Sequence, residues 1–207
     1  MKLILSFFCL MLFHIGFSQQ KKIKYLNEIY EEINPKEFIK AKKTGKYLDL
    51  YFENDTLIQC LLVRRRPIGK LNKNQFEKLK ENLQIKNTIE DDLVVIIYYP
   101  GKDSCNKAEK YSTWNVFDSD YLKKLKKISG ISHHWIYKDD ENLKYYYKRK
   151  IGWKKDKNQF IEKLFFKYHY PCFSFVVIDS KGNYMAYYGE FGKQTVWELA
   201  KTLKKAY

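Results

Sequence analysis

The chain lacks most of the short motifs that mark common functional sites. It has four Cys, and they form no Cys-x-x-Cys, Cys-x-x-Cys-His or paired Cys/His spacing, so we predict no structural zinc, no haem, and no other metal or cofactor. It also has no Gly-rich phosphate-binding loop, no Ser/His/Asp order and no carboxylate pair that stands out. The usual nucleotide-binding and hydrolase classes are therefore not supported.

Arginine is scarce although the chain is basic. Lys and Arg outnumber Asp and Glu by 39 to 24, giving a formal charge of +15, yet the only Arg residues are Arg64, Arg65, Arg66 and Arg149. Proteins that read phosphates and bases favour the planar Arg fork. A Lys-rich bias together with many Asn, Ile and Tyr is also what AT-rich coding produces. We therefore predict that the chain does not bind nucleic acid.

Long hydrophobic runs are absent apart from one at the N-terminus. Residues 3–13 are apolar except for Ser6, too short for the roughly 20 residues of a membrane helix. Met1-Lys2 precedes this run, and Gly16 and Ser18 supply the small residues of a cleavage site. We predict that residues 1–18 are a cleaved signal peptide rather than an uncleaved anchor. The mature chain is then soluble, without a transmembrane segment, and is periplasmic or secreted.

Three cysteines remain after cleavage: Cys60, Cys105 and Cys172. Export makes disulfides possible, and the odd number means that at least one thiol stays free or pairs between chains. Cys60 lies within an apolar run and is expected to pack in the core. His133 and His134 are adjacent in a strand pattern, so they point to opposite faces and cannot share a metal.

Hydrophobic periodicity predicts a layered α/β domain. Residues 19–46 form a lead-in with a helix that begins at Asn34 and Pro35. Within 47–207 the strand patterns cover 47–52, 57–63, 93–99, 131–137, 173–178 and 184–188. Helices begin near Asn72, near Asp118 or Ser119, and near Asp156 or Asn158, and a last helix carries Val196, Leu199, Ala200 and Leu203. Strands that alternate with helices predict a partly parallel sheet, here closed by a C-terminal hairpin and helix.

Two segments of this pattern resemble thioredoxin-like proteins. Residues 93–105 are similar to the central strand and active-site turn of that family, and residues 175–183 are similar to the hairpin of its exported members. The resemblance covers about residues 57–207. It implies a thioredoxin-like three-layer sandwich with a mixed sheet, an N-terminal strand and helix extension, and an insertion over 138–170 before the hairpin.

The resemblance fails at the family's catalytic motif. Where the family has Cys-x-x-Cys, this chain has Lys102-Asp103-Ser104-Cys105, so Lys stands in the place of the nucleophilic Cys. A Lys ammonium cannot carry out thiol–disulfide exchange. The family's cis-proline has Pro171 as its candidate, although Pro171 lies about two residues early and Phe173 is the alternative occupant of that position. A peroxiredoxin is not supported, because Lys102 also replaces the Thr that such a site needs.

The same resemblance implies that Cys105 and Cys172 face each other. The turn after the central strand and the loop before the hairpin lie together in thioredoxin-like folds, so these two are the expected pair if any two cysteines are bridged. The alternative is two unpaired, buried thiols. If Cys105 is free, a helix start beside Lys102 would favour its thiolate, and Cys105 and Cys172 are the candidate catalytic residues of a redox protein.

The insertion contains an aromatic and basic stretch over residues 145–153. Tyr, Trp and Arg are enriched at binding hot spots, so the candidate partner surface consists of Tyr145, Tyr146, Tyr147, Arg149 and Trp153. The alternative is an extra hairpin packed on the domain.

Three functions are compatible with these features. The first is a non-catalytic binding module of the cell envelope that recognises an unidentified protein partner. The second is a redox protein that uses Cys105 as a single reactive thiol. The third is an envelope assembly component that docks through residues 138–170.

The signal-peptide hypothesis predicts the start of the mature chain. N-terminal sequencing of the exported protein is expected to begin at Gln19, because Gly16 and Ser18 define the cleavage site. Recovery of the full-length chain in the membrane fraction would contradict cleavage.

Overall fold

The structure is a computed structural model that describes residues 21–85, 92–107, 110–147 and 151–206. The predicted signal peptide, residues 1–18, lies outside the described residues. The chain has a mixed α/β fold and divides into two compact units. One unit contains the residues up to 43 and residues 49–63, and the other contains residues 44–48 and the chain from 64 onward.

The first unit is built on a three-stranded sheet. The elements are β1 (Lys22–Leu26), α1 (Pro35–Lys43), β2 (Tyr47–Glu53) and β3 (Leu57–Arg64), with the strand order β1-β3-β2. Residues 47, 48 and 64 at the ends of β2 and β3 are counted in the second unit. β1 runs parallel to β3. The predicted helix α1 is confirmed, and the Asn34 side chain caps it by accepting the Lys36 N–H at 2.8 Å.

The second unit contains a six-stranded mixed sheet with the order β4-β9-β8-β5-β6-β7. Its strands are β4 (Ile68–Lys70), β5 (Leu93–Tyr99), β6 (Ile131–Tyr137), β7 (Trp153–Lys155), β8 (Ser174–Ile178) and β9 (Asn183–Tyr187). β5, β6 and β7 are parallel, whereas β8 pairs antiparallel with both β5 and β9. The predicted C-terminal hairpin is therefore confirmed as β8–β9.

Helices pack on both faces of this sheet. The helices of the second unit are α2 (Lys73–Leu83), α3 (Asp120–Lys126), α4 (Phe160–Phe165) and α5 (Lys193–Ala206). Every residue of β5 is buried, as its continuous apolar run predicts. Val95 and Ile97 belong to one core cluster with Leu125 of α3 and Leu199 of α5. On the other face of β5, Tyr98 stacks on Phe166 at 4.5 Å, just after α4.

The predicted insertion is part of the layered structure. β7 extends the sheet beside β6, with Trp153 in register with Trp135. The Asp156 carboxylate accepts the N–H groups of Ile161 and Glu162 and so caps α4. In the part of the chain that the structure describes, no helix is both long and apolar enough to cross a membrane.

The partner surface predicted from residues 145–153 is wrong for two of its members. Tyr146 and Trp153 are 6% and 7% exposed and belong to the core. Trp153 is buried where β7 pairs with β6, and its Nε1–H donates to the Tyr146 carbonyl oxygen at 3.1 Å. Tyr145 is partly buried against the same core, and Tyr147 is exposed. Arg149 lies outside the described residues.

The capping box at the start of α2 gives a test of the local folding argument. Asn72 Oδ1 accepts the Gln75 N–H, and Gln75 Oε1 accepts the Asn72 N–H, both at 2.9 Å. Asn72→Ala removes one acceptor and should lower the free energy of unfolding by about 1 kcal/mol. Denaturant titration beside the exposed control Lys73→Ala measures this difference. Equal stability of the two variants would contradict the cap.

Candidate functional site

The turn that follows β5 is held by two of its own side chains. Gly101 starts it with a φ of +112°, a conformation that favours glycine. The Asp103 Oδ1 atom accepts the N–H groups of Cys105 at 2.8 Å and Asn106 at 2.9 Å, and Asn106 Oδ1 accepts the Asp103 N–H at 2.8 Å. These side-chain-to-backbone hydrogen bonds have the pattern of a helix N-cap, but no helix follows, since described residues 101–107 contain only turns and irregular backbone. The expected helix start at Cys105 is therefore wrong.

The same two side chains also hold the loop before β8. Asp103 Oδ2 accepts the Cys172 N–H at 2.8 Å and lies 3.1 Å from His169 Nε2. Asn106 Nδ2 donates to the carbonyl oxygens of Cys172 at 3.0 Å and Gly101 at 2.8 Å. Both backbone polar groups of Cys172 are thus bound by the turn. We call this arrangement the Asp103–Asn106 clamp.

Cys105 and Cys172 form a disulfide across the clamp, which confirms the expected pairing over two unpaired thiols. Their Cα atoms are 5.1 Å apart, within the normal range for a disulfide. Cys172 is 6% exposed, whereas Cys105 is exposed. Among the cysteines that the structure describes, Cys60 is free and buried, and burial raises the pKa of its thiol.

Pro171 does not occupy a cis-proline position. All peptide bonds in the described residues are trans, including the bond that precedes Pro171. Cys172 has a φ of +67°, which is unusual for a residue with a side chain, and the clamp bonds hold it there. The loop is therefore shaped by its hydrogen bonds to the turn rather than by a cis bond.

A cleft of about 210 Å³ lies beside the disulfide. Both cysteines and Asn106 line it on one side, and Ser112 and Glu190 add polar groups. The aromatic part of the lining consists of Trp114, Tyr146, Phe173 and Phe191. The cleft is thus largely apolar, with a few polar groups beside the sulfur atoms.

The aromatic walls are fixed by contacts with the surrounding loops. Trp114 stacks on Phe173 with ring centroids 4.5 Å apart, and its Nε1 donates to the Phe191 carbonyl oxygen at 2.6 Å. The Tyr146 hydroxyl donates to the Asn106 carbonyl oxygen at 3.0 Å. One wall is therefore attached to the clamp itself, and contacts within the chain hold the aromatic walls in place.

Electrostatics at the turn favour a charged Asp103 and a charged Lys102. Burial acts to raise the pKa of Asp103, but hydrogen bonds from His169 and from the N–H groups of Asn106, Cys172 and Cys105 outweigh it and lower the pKa. Lys102 is exposed and donates to Glu141 at 2.7 Å, which raises the pKa of Lys102. Lys102 is therefore an ion-pair donor and not a nucleophile at neutral pH.

The two histidines have separate structural partners. His133 Nε2 lies 2.9 Å from the Tyr121 hydroxyl, and His134 Nε2 lies 2.8 Å from the Ser132 hydroxyl. Burial lowers the pKa of His133 to about 3 and that of His134 to about 4, so both are neutral near pH 7. Neither belongs to the cleft.

Several residues of the site were not predicted from the sequence. Asn106 follows Asp103 by three positions, and this spacing is a signal for a side-chain-stabilised turn. Trp114 lies in a polar segment outside any helix or strand pattern, which marks it as an aromatic residue with a specific contact. Glu190 and Phe191 have no local signal, because they reach the cleft only through the fold.

Comparison of the chain with protein-family models, with curated proteins and with solved structures finds no match.

The buried carboxylate of Asp103 gives the site a testable pH dependence. Asp103→Asn replaces one accepting oxygen with a donor amide and should lower the free energy of unfolding at pH 7 by about 1–3 kcal/mol. Because the folded-state pKa of Asp103 is lowered, its stabilisation is present above the unfolded value of about 3.9 and is lost as the pH falls through the folded value. The difference between wild type and variant should therefore shrink in acid.

Denaturant unfolding of the oxidised proteins at neutral and acidic pH measures this difference. Asp140→Asn is the control, because Asp140 is exposed. If Asp103→Asn is no less stable than Asp140→Asn at pH 7, the clamp does not stabilise the fold.

Proposed function

We propose that the protein is an exported, thioredoxin-like binding module without a catalytic dithiol, and that it holds an apolar side chain of a protein partner in the cleft beside the Cys105–Cys172 disulfide. The observation that carries this proposal is a preformed aromatic cleft whose wall is cross-linked and hydrogen-bonded. Binding sites gain affinity when their walls are ordered in advance, since less entropy is lost on association.

The strand order supports the thioredoxin-like part of the proposal. β5 lies between its parallel neighbour β6 and its antiparallel neighbour β8, and β9 and α5 follow β8 in the chain. The turn after β5 meets the loop before β8, as the resemblance implies. The degenerate turn Lys102-Asp103-Ser104-Cys105 then occupies the family's active-site position.

The chemistry of the turn favours binding over catalysis. Lys102 stands where the nucleophilic Cys is expected and is engaged with Glu141. Asp103 stands at one of the two variable positions of the Cys-x-x-Cys motif. Here it binds four groups in the turn and the neighbouring loop. The residues of the former active site thus serve to fix the cleft.

The size of the cleft limits its ligand. A volume of about 210 Å³ is below the ~300–1,000 Å³ of typical small-molecule pockets. Aromatic walls suit an aliphatic or aromatic side chain, and such anchors dominate the binding energy of protein interfaces. A single apolar anchor residue from a partner protein therefore fits best.

A second function, thiol–disulfide exchange, is favoured by the unequal exposure of the two sulfur-bearing residues. Cys105 is exposed and Cys172 is buried. A partner thiolate that attacks Cys105 Sγ would form a mixed disulfide and release Cys172 as a thiolate.

The hypothesis of a single reactive Cys105 thiol is changed by the structure, because Cys105 is paired. The assembly hypothesis loses Tyr146 and Trp153 as docking residues, because both are buried.

A substitution that fills the cleft tests the proposed function. Ser112 lines the cleft, so Ser112→Trp should block it, whereas Lys204→Trp adds the same side chain at an exposed position of α5. Tagged mature proteins are incubated with native envelope extract after thiols are blocked, and captured partners are quantified. We expect one partner to be retained by wild type and Lys204→Trp and reduced at least about tenfold with Ser112→Trp.

The same proteins distinguish the second function. Their thermal unfolding verifies that Ser112→Trp is folded before capture is compared. Equal capture by both variants would contradict binding in the cleft. Catalysed reduction of insulin disulfides by wild type would instead support thiol–disulfide exchange.

A further inference from the structure

Three metal-binding side chains meet at the mouth of the cleft. The Sγ atoms of Cys105 and Cys172 and a carboxylate oxygen of Glu190 all lie within 4.8 Å of one another. Glu190 comes from the turn after β9, so three separate segments of the chain contribute. In the disulfide form the sulfur atoms are bonded to each other and are poor ligands for a cation.

We propose that reduction of the Cys105–Cys172 disulfide creates a binding site for a thiophilic divalent cation of the Zn²⁺ type. The ligands are the two thiolates, the Glu190 carboxylate and one water molecule. This site goes beyond the proposed function and does not depend on it, since partner binding uses the oxidised cleft.

The clamp keeps the two cysteines close when the disulfide opens. Asp103 and Asn106 bind the N–H and C=O of Cys172 through the backbone, and Asp103 also binds the Cys105 N–H. None of these bonds involves a sulfur atom. The 5.1 Å separation of the Cα atoms is therefore held independently of the covalent bond.

This separation suits tetrahedral zinc. Zn–S distances of about 2.3 Å place two thiolates about 3.8 Å apart in tetrahedral geometry, and Zn–O distances are about 2.0–2.2 Å. With the Cα atoms 5.1 Å apart, rotation of the two Cys side chains brings the sulfur atoms to the S···S separation of about 3.8 Å without movement of the backbone. The Glu190 carboxylate already lies within 4.8 Å of both sulfur atoms, so a small rotation completes a three-ligand set.

The charges at the site also favour a cation. Among the described residues, Glu190 forms no salt bridge, and its side chain is exposed. Two thiolates added beside this carboxylate would repel it and one another, and a bound divalent cation removes that repulsion. Thiolate ligands select zinc-like ions over Mg²⁺ and Ca²⁺, which prefer oxygen.

The reaction balances in two steps. A dithiol reductant transfers two electrons and two protons, the S–S bond breaks, and the reductant leaves as its own disulfide. Each thiol then loses one proton as its metal–sulfur bond forms, so two protons are released for each cation bound. The Glu190 carboxylate contributes a charge that is already present.

Cobalt binding to the mature protein tests the site. The oxidised protein is divided, one part is reduced with a phosphine that does not bind the metal, and both parts are titrated with Co²⁺. We expect the reduced protein to bind one Co²⁺ with a thiolate charge-transfer band and tetrahedral d–d bands, which Zn²⁺ abolishes by displacement. The oxidised protein should show neither band.

Matched variants separate this site from unspecific thiol binding. Glu190→Gln should keep the charge-transfer band but weaken Co²⁺ binding at least about tenfold, because a charged ligand is lost. Glu198→Gln is the control carboxylate, and Cys60→Ala should leave binding unchanged.

Absence of the band in the reduced wild type would overturn the proposal. Equal Co²⁺ affinity of Glu190→Gln and wild type would also overturn it. That result is expected if reduction unfolds the chain and the metal binds the thiols alone. Loss of the charge-transfer band in Cys60→Ala would show that Cys60 is a metal ligand and would also overturn the proposal. None of these results affects partner capture by the oxidised protein, so the two proposals fail separately.

Discussion

The backbone of Cys172 is held by two side chains from a turn that lies almost 70 residues earlier in the chain. Asp103 accepts its N–H, and Asn106 donates to its carbonyl. Asp103 has only 14% of its side chain exposed, and buried polar groups of this kind are costly unless each is bound. The turn and the loop must therefore form together, and the other features of the site follow from that requirement.

The disulfide and the cleft both depend on this clamp. The clamp places two Cα atoms at disulfide distance, and closing a loop of this length stabilises the folded state by about 4 kcal/mol in the chain-entropy estimate. It also anchors Tyr146, whose hydroxyl binds the Asn106 carbonyl and whose ring packs on Phe173 at 4.9 Å. The turn residues Asp103 and Asn106 thus order one wall of the cleft.

Local sequence signals predicted the elements but not the long-range parts of the site. The apolar run of β5, the capping box of α2 and the hairpin β8–β9 are each encoded within a few residues, and all are confirmed. β1 was missed although Lys22, Ile23 and Lys24 alternate charged and apolar residues as a half-buried strand does, because the segment is only five residues long and the lead-in was predicted to be helical. The burial of Trp153 depends on the pairing of β7 with β6, which a local run of Tyr, Lys and Trp residues does not reveal. Glu190 reaches the sulfur atoms only through the fold, whereas the pairing of Cys105 with Cys172 followed from the family resemblance.

Peptide mapping of the chain from Gln19 onward, without reduction, tests the central claim most directly. Thiols are alkylated under denaturing conditions, the chain is digested, and cross-linked peptides are identified by mass. The account predicts one cross-linked species containing Cys105 and Cys172, with alkylation confined to Cys60. Alkylation of all three cysteines, or a cross-link that includes Cys60, would contradict it.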